Sequence, residues 1–324
     1  MIQLISVMSE LGAGTKGSSQ GFHAINSASL DLQKDQGDES TKFFAKNKVI
    51  HLEIDHINPL YRSEYRHAIN IDGIDRMFQR ISEAVQHSVN KKNIPVIISG
   101  DHSNAGGTLR GLKKAYSDSR IGVVWIDAHA DLHSPFTTPS GNVHGMPMAT
   151  AISEDNKESV INDPDDKTID LWNQLKGDSK KILPEDIIYI GLRSIEEAES
   201  FLIKKHNMAV HTVKDLRDKG VSGILSEVRS KLSKCDVIYI SFDVDSMDPK
   251  VSNGTGTPVD EGLSENEAFQ LLRNFASDEK VKCVEFTEIN PLLDSIGDPM
   301  GEVAFRLLKE TISCLNNRCI NNFL

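Results

Sequence analysis

No stretch of this chain is apolar for long enough to span a bilayer, and its first residues, Met1 to Glu10, carry no basic leader ahead of their short apolar run. A soluble, cytoplasmic protein is expected. Positive charge is also short: 36 Lys and Arg against 47 Asp and Glu give a formal net charge of −11. That sign argues against nucleic acid and against anionic membranes as partners, and suits a cationic ligand. Cysteine is scarce and scattered (Cys235, Cys283, Cys314, Cys319), with no close CxxC pair, so neither a disulfide framework nor a Cys-ligated zinc site is indicated. No internal repeat and no Pro- or Gly-rich linker divides the sequence. Residues 1–324 therefore read as one domain, whose 39% hydrophobic content can bury a large core.

Short β-branched runs recur along the chain: Ile2–Val7, Val49–Ile54, Ile94–Ile98, Ile121–Ile126, Ile187–Ile190, Met208–His211, Asp236–Phe242 and Val281–Phe286. Several are almost continuously apolar, as strands buried on both faces of a parallel sheet are. Helical patterns lie between them. Ile74, Met77, Phe78, Ile81, Val85 and Val89 repeat at three-to-four spacing, and so do Ala268, Leu271, Leu272 and Phe275, after a capping box of Ser264 and Glu267. This alternation predicts an α/β protein with three layers, α-β-α, around a central, mostly parallel eight-stranded sheet. Ser153 to Lys181, rich in Asp, Lys, Asn and Ser, reads as a surface excursion carrying one short helix near Ile169–Trp172.

In open parallel sheets ligands bind just beyond the carboxyl ends of the strands. Three polar clusters follow apolar runs at such places: Ser99-Gly100-Asp101-His102-Ser103, Asp127-Ala128-His129-Ala130-Asp131 and Asp243-Val244-Asp245. Side chains two apart along extended backbone point the same way, so the DxHxD and DxD spacings can converge on one ion. His102, Asp127, His129, Asp131, Asp243 and Asp245 offer two imidazoles and four carboxylates, a nitrogen and oxygen set that favours Mn²⁺ and similar divalent ions. Four carboxylates match the charge of two such ions, and a water between two cations about 3.5–4 Å apart becomes hydroxide near neutral pH. Each part alone has a plainer reading. A lone Asp-x-Asp caps helices and turns, and a lone His at a strand end is an ordinary hydrogen-bonded residue. The coincidence of all three clusters at strand ends favours the two-metal hydrolase.

These blocks, with Ser241-Phe242-Asp243-Val244-Asp245-Ser246-Met247-Asp248-Pro249, resemble the three signatures of the ureohydrolases, the arginase and agmatinase family. The likeness runs from the Gly-rich segment Leu11–Gly21 to the last helix and includes Gly254-Thr255-Gly256-Thr257-Pro258 and Glu288-Ile289-Asn290-Pro291. Ser140-Gly141-Asn142-Val143-His144-Gly145-Met146-Pro147 resembles the substrate loop of the arginase branch. The resemblance implies two Mn²⁺ ions bridged by Asp127 and Asp243, with His102 and Asp131 completing one shell and His129 and Asp245 the other. It implies hydrolysis of L-arginine to L-ornithine and urea by a metal-bridging hydroxide. Asp131 would orient that nucleophile, Glu288 would pair with the guanidinium and His144 would shuttle a proton. Ser140 and Asn142 would hold the substrate carboxylate, and Glu196 and Glu199 its ammonium.

The sequence departs from the better-known arginases at His133, Asn there and a carboxylate contact, at Glu196, Asp there, and at Ser99, Gly there. Outside the family pattern, Glu196 and Glu199 would be a solvated helix face, His144 a surface histidine and Glu288 a helix cap. His23, His51, His56, His67, His87, His206 and His211 have no comparable partners and receive no role. Agmatine, formiminoglutamate or another guanidino compound is the alternative substrate, and a non-catalytic, metal-stabilised scaffold the alternative of a different class. Relatives imply a homo-oligomer, trimer or hexamer.

Overall fold

A computed structural model describes residues 1–35, 43–46, 48–54 and 64–321; His56 lies outside them. In chain order the elements are β1 (Ile2–Met8), α1 (Gly21–Asp35), α2 (Phe43–Lys46), β2 (Val49–Glu53), α3 (Ile71–Asn90), β3 (Ile94–Ser99), α4 (Asn104–Ala115), β4 (Ile121–Ile126), α5 (Pro147–Ile152), α6 (Asp166–Lys176), β5 (Ile187–Ile190), α7 (Glu197–Lys205), β6 (Ala209–His211), α8 (Val213–Lys231), β7 (Val237–Asp243), α9 (Glu265–Ala276), β8 (Val281–Thr287) and α10 (Pro299–Asn321). All eight expected strands form. They make one sheet in the order β2-β1-β3-β8-β7-β4-β5-β6, and every pairing among the described residues is parallel.

The strands are apolar throughout because successive residues face opposite, equally dry layers. Val124 and Ile126 pack with residues of α1, α8, α9 and α10, whereas Val123 and Trp125 pack with residues of α3, α4, α5 and α6. The expected stripe on α3 is buried from Ile74 to Val85, and α9 starts at the expected Ser264–Glu267 capping box. The polar excursion holds a three-turn helix, α6, whose N-cap Asp165 accepts the Thr168 N–H, and whose Trp172 and Leu175 are fully buried. No helix among the described residues is long and apolar enough to cross a membrane.

This strand order puts the carboxyl ends of β3, β8, β7 and β4 side by side, and the chain passes from β3 to β4 across the two strands between them. Such a reversal of strand order opens a crevice at the sheet edge. His102 enters that crevice on the turn between β3 and α4, so the seating of α4 matters to it. Gly111 lets α4 lie directly against α3: a Cβ there would meet the Ser82 carbonyl oxygen and the Val85 Cβ at 2.8 Å. Gly111→Val should therefore lower stability by about 1–3 kcal/mol through overpacking, read as a fall in the urea midpoint at unchanged slope. A parent-like midpoint would show that the two helices have slack.

Candidate metal centre

The side chains converge by a device other than strand alternation. Asp127 Oδ1 accepts the His129 N–H and Asp243 Oδ1 accepts the Asp245 N–H, both at 2.7 Å, and Asp101 Oδ1 accepts the Ser103 N–H at 2.9 Å. Each cluster is thus a turn closed on its leading aspartate, a local bond at which Asp excels. Asp245 lies in a 3₁₀ turn, Val244–Ser246, and Asp131 has φ +53°, a left-handed conformation costly for a non-glycine residue. The expected alternation along extended backbone is corrected on both counts.

The result is two ligand groups sharing one carboxylate. His102 Nδ1 lies 3.0 Å from Asp127 Oδ2, 3.0 Å from Asp243 Oδ2 and 3.1 Å from Asp131 Oδ2. His129 Nδ1 lies 3.0 Å from Asp245 Oδ2 and 3.5 Å from Asp127 Oδ1. Asp127 therefore spans both groups. Asp243, expected to bridge as well, clusters with the first group only.

Burial dominates the electrostatics. Together with neighbouring carboxylates it pushes Asp131, Asp243 and Asp245 above the usual carboxylate range. For Asp127 burial is outweighed by the two imidazoles, which hold it low. The residues fit divalent cations on a further ground: His102 Nδ1 and Asp127 Oδ2 are buried without a hydrogen-bond partner, so their lone pairs point into the cluster unsatisfied. Behind the ligands, His102 Nε2 bonds Ser241 Oγ at 2.7 Å and its ring stacks 4.1 Å from Trp125. Thr257 Oγ1 donates to Asp245 Oδ2 at 3.0 Å. Arg193 pins the β7 turn by donating to the carbonyls of Asp245, Ser246 and Met247.

A cavity of about 270 Å³ opens onto this cluster, lined also by His133, Ser140, Asn142, His144, Glu196, Glu199 and Glu288. All the residues singled out in the sequence, apart from the deeply buried Asp127, reach its wall. Glu288, at φ +64°, accepts the His102 N–H at 2.8 Å and lies 3.3 Å from His144 Nδ1, both through Oε1. Burial opposes a charged His144, but the Glu288 contact overrides it and raises the imidazole to about 9. Asp101, given no role from the sequence, anchors this loop: it accepts the Gly12 N–H at 3.0 Å, and the Gly12 carbonyl accepts the His144 N–H at 3.1 Å. Its place inside the Gly100–Ser103 block was the available signal.

At the far end, Glu196 and Glu199 form a capping box at the start of α7, and Glu199 is buried, so the solvated helix face that their spacing suggested does not describe it. Glu199 also accepts the Leu132 N–H, and burial raises it to about 8. His133 is held through Nδ1 by Thr137 at 3.1 Å and through Nε2 by Glu196 at 3.2 Å.

Buried carboxylates with two imidazoles in two fused groups, at the carboxyl edge of a doubly covered parallel sheet, define a candidate metal-dependent hydrolase. The chain belongs to the arginase family, whose sequence model matches residues 1–314. It is 34% identical over 243 residues to an arginase of Bacillus subtilis, covering 75% of this chain and 77% of that one. It is 32% identical over 295 residues to an arginase of Staphylococcus aureus, covering 90% and 91%. Its fold matches the solved arginase of Bacillus caldovelox with a TM-score of 0.80 at 28% identity, covering 96% and 97%.

The raised carboxylates make a prediction about metal removal. A carboxylate whose pKa is higher folded than unfolded opposes folding when ionised at neutral pH, and the opposition fades as pH falls through the folded value. In excess chelator at pH 7, Asp243→Asn should melt above the parent. With Mn²⁺ the order should invert, because a site binding only the folded state adds about 2.7 kcal/mol at a free concentration a hundred times Kd. A variant that melts below the parent in chelator would show that mutual repulsion does not govern the metal-free cluster.

Proposed function

We propose that the chain hydrolyses L-arginine to L-ornithine and urea, with two Mn²⁺ ions held by His102, Asp127, Asp131 and Asp243 on one side and by His129, Asp127 and Asp245 on the other. The observation carrying this reading is the meeting of His144 and Glu288 at 3.3 Å in the same cavity as the ligand cluster. Bound there, the ions would supply an acidified, positioned water at neutral pH.

The remaining work falls to the protein. A guanidinium carbon is a poor electrophile because its charge is spread over three nitrogens, so attack geometry must be fixed. Glu288 Oε1 is engaged by the His102 N–H and His144. Its Oε2 has no partner among the described residues and is the oxygen left to accept from the guanidinium. Asp131, within the cluster and in a strained backbone conformation, orients the nucleophile. As the bond from carbon to the side-chain nitrogen breaks, that nitrogen needs a proton, and His144, rimming the cavity and raised to about 9, delivers it. Of the other residues on the cavity wall, Ser140 and Asn142 are assigned by the family resemblance to the substrate carboxylate, and Glu196 and Glu199 to its ammonium. The family resemblance alone supports a cytoplasmic homo-oligomer, trimer or hexamer.

One observation favours a second reading. His133 bonds Glu196, so part of the charge meant for an α-ammonium is already used, which keeps agmatine, other guanidino compounds and the formimidoyl compound formiminoglutamate in play. Charge-assisted hydrogen bonds to a carboxylate are worth about 1.5–3 kcal/mol each, so an enzyme built for arginine should show kcat/KM for agmatine lower by about 10–100-fold. The measurement is urea release from both compounds with and without Mn²⁺, and Asp243→Ala should abolish it. Preference for agmatine would shift the reading to a sister activity, and two bound metals with neither a guanidino compound nor formiminoglutamate turned over would favour a scaffold.

A further inference from the structure

A guanidinium offers five N–H donors in a rigid planar fork, a shape matched to carboxylates. Arg193, on the loop between β5 and α7, does not use its fork that way, for all three of its nitrogens donate to main-chain carbonyls. Nη2 reaches Asp245 at 2.8 Å, Val259 at 2.7 Å and Met247 at 3.3 Å, Nη1 reaches Gly191 at 3.0 Å and Ser246 at 3.2 Å, and Nε reaches Asp260 at 3.0 Å. One side chain thereby joins the turn after β7 to the segment Thr257–Asp260, whose Thr257 hydroxyl donates to Asp245 Oδ2 at 3.0 Å. The Arg193 backbone reaches a third segment, the turn after β4. The Ala128 carbonyl accepts the Arg193 N–H at 3.0 Å and the Ser194 N–H at 2.9 Å.

These are the three segments that build the second ligand group. Asp127 and His129 flank Ala128 in the turn after β4, and Asp245 stands in the turn after β7. Asp245 is held at each polar atom. Its N–H is taken by Asp243 Oδ1 and its carbonyl by Arg193, while its Oδ1 accepts the Ala128 N–H at 3.3 Å and its Oδ2 accepts from Thr257. Three of those four contacts run to Arg193 or to a segment that Arg193 ties down. None of its bonds reaches the turn after β3, which carries His102 of the first group. We propose that Arg193 is a positioning residue that sets the metal affinity of the second ligand group, Asp127, His129 and Asp245, by locking the turns after β4 and β7 and the Thr257 segment to one another. This rests on the metal-centre reading above but not on the identity of the substrate. Partners that orient a ligand from behind commonly contribute about 10–100-fold to metal affinity.

The first ligand group supplies an internal control. Arg193→Met keeps an apolar stem and removes every side-chain donor, whereas Arg193→Lys keeps a cation that cannot span both the turn and the Thr257 segment. In titration calorimetry with Mn²⁺ and no substrate present, Arg193→Met should lose about 10–100-fold in affinity at one of two sites and keep the other, with Arg193→Lys between it and the parent. The electron paramagnetic resonance spectrum, at a Mn²⁺ level that gives the parent a spin-coupled pair, should show an isolated ion in Arg193→Met. Thr257→Val should weaken the same site, and by less when added to Arg193→Met than when made in the parent, because the two act through one segment. Cooperative melting in chelator shows that the fold is intact, and if Arg193→Met does not fold, Arg193→Lys decides. Parent-like affinity at both sites, or equal loss at both, overturns the proposal. A parent that binds no Mn²⁺ overturns the metal-centre reading and this proposal with it. Because no guanidino compound enters the experiment, failure to hydrolyse arginine would leave the result standing.

Discussion

Carboxylates within a few ångströms of one another, buried at the foot of a cavity, are the constraint around which this protein is built. Asp127, Asp131, Asp243 and Asp245 are all buried, and three of them are held above their usual range by burial and by each other. Two imidazoles offset part of that repulsion, and divalent cations would offset the rest. Ordinary side-chain packing cannot hold like charges in register. Here it is the backbone that does so, through turns closed on Asp101, Asp127 and Asp243, and the strain at Asp131 and Glu288 is the mark of that enforcement.

The sheet order explains why these turns meet at all. His102, Glu288, the Asp243–Asp245 pair and the Asp127–Asp131 cluster follow β3, β8, β7 and β4, which are adjacent in space although widely spaced in sequence. A rigid, doubly covered sheet then fixes the separations, and loops add what is needed on top. The His144 loop is packed through the buried Val143 and Met146 and tied down by the Asp101–Gly12–His144 chain of hydrogen bonds, so the same turn that presents His102 also places His144, the proposed proton donor.

Much of this was legible in the residues. Strands buried on both faces betray themselves as continuous apolar runs, and the ligands stand out because polar groups at the ends of such runs are costly without a use. Three things were not legible, each for a physical reason. The left-handed backbone at Asp131 leaves no trace in composition, so alternation was the wrong account of a correct convergence. Arg193 meets the turn after β7 only once β4 is known to lie between β5 and β7, so the brace behind Asp245 could not be assembled from one strand at a time. The contact of His133 with Glu196 joins residues from a loop after β4 and the start of α7, and neither residue's neighbours in sequence announce it.

The site is therefore divided by how much freedom its chemistry allows. At the proposed reacting end Oδ1 of Asp127 and of Asp243 and Oε1 of Glu288 are taken by backbone N–H groups, and the opposite oxygen of each is the one left for a cation or for the guanidinium. At the far end the same carboxylates already do structural work: Glu196 and Glu199 cap α7, and Glu199 holds the Leu132 amide next to Asp131. Those bonds persist whatever the substrate's tail carries, so His133 can engage Glu196 without disturbing the fold or the ligand cluster. A change at His133 would therefore cost little stability, whereas a change among Asp127, Asp131, Asp243 and Asp245 alters the balance of buried charge directly.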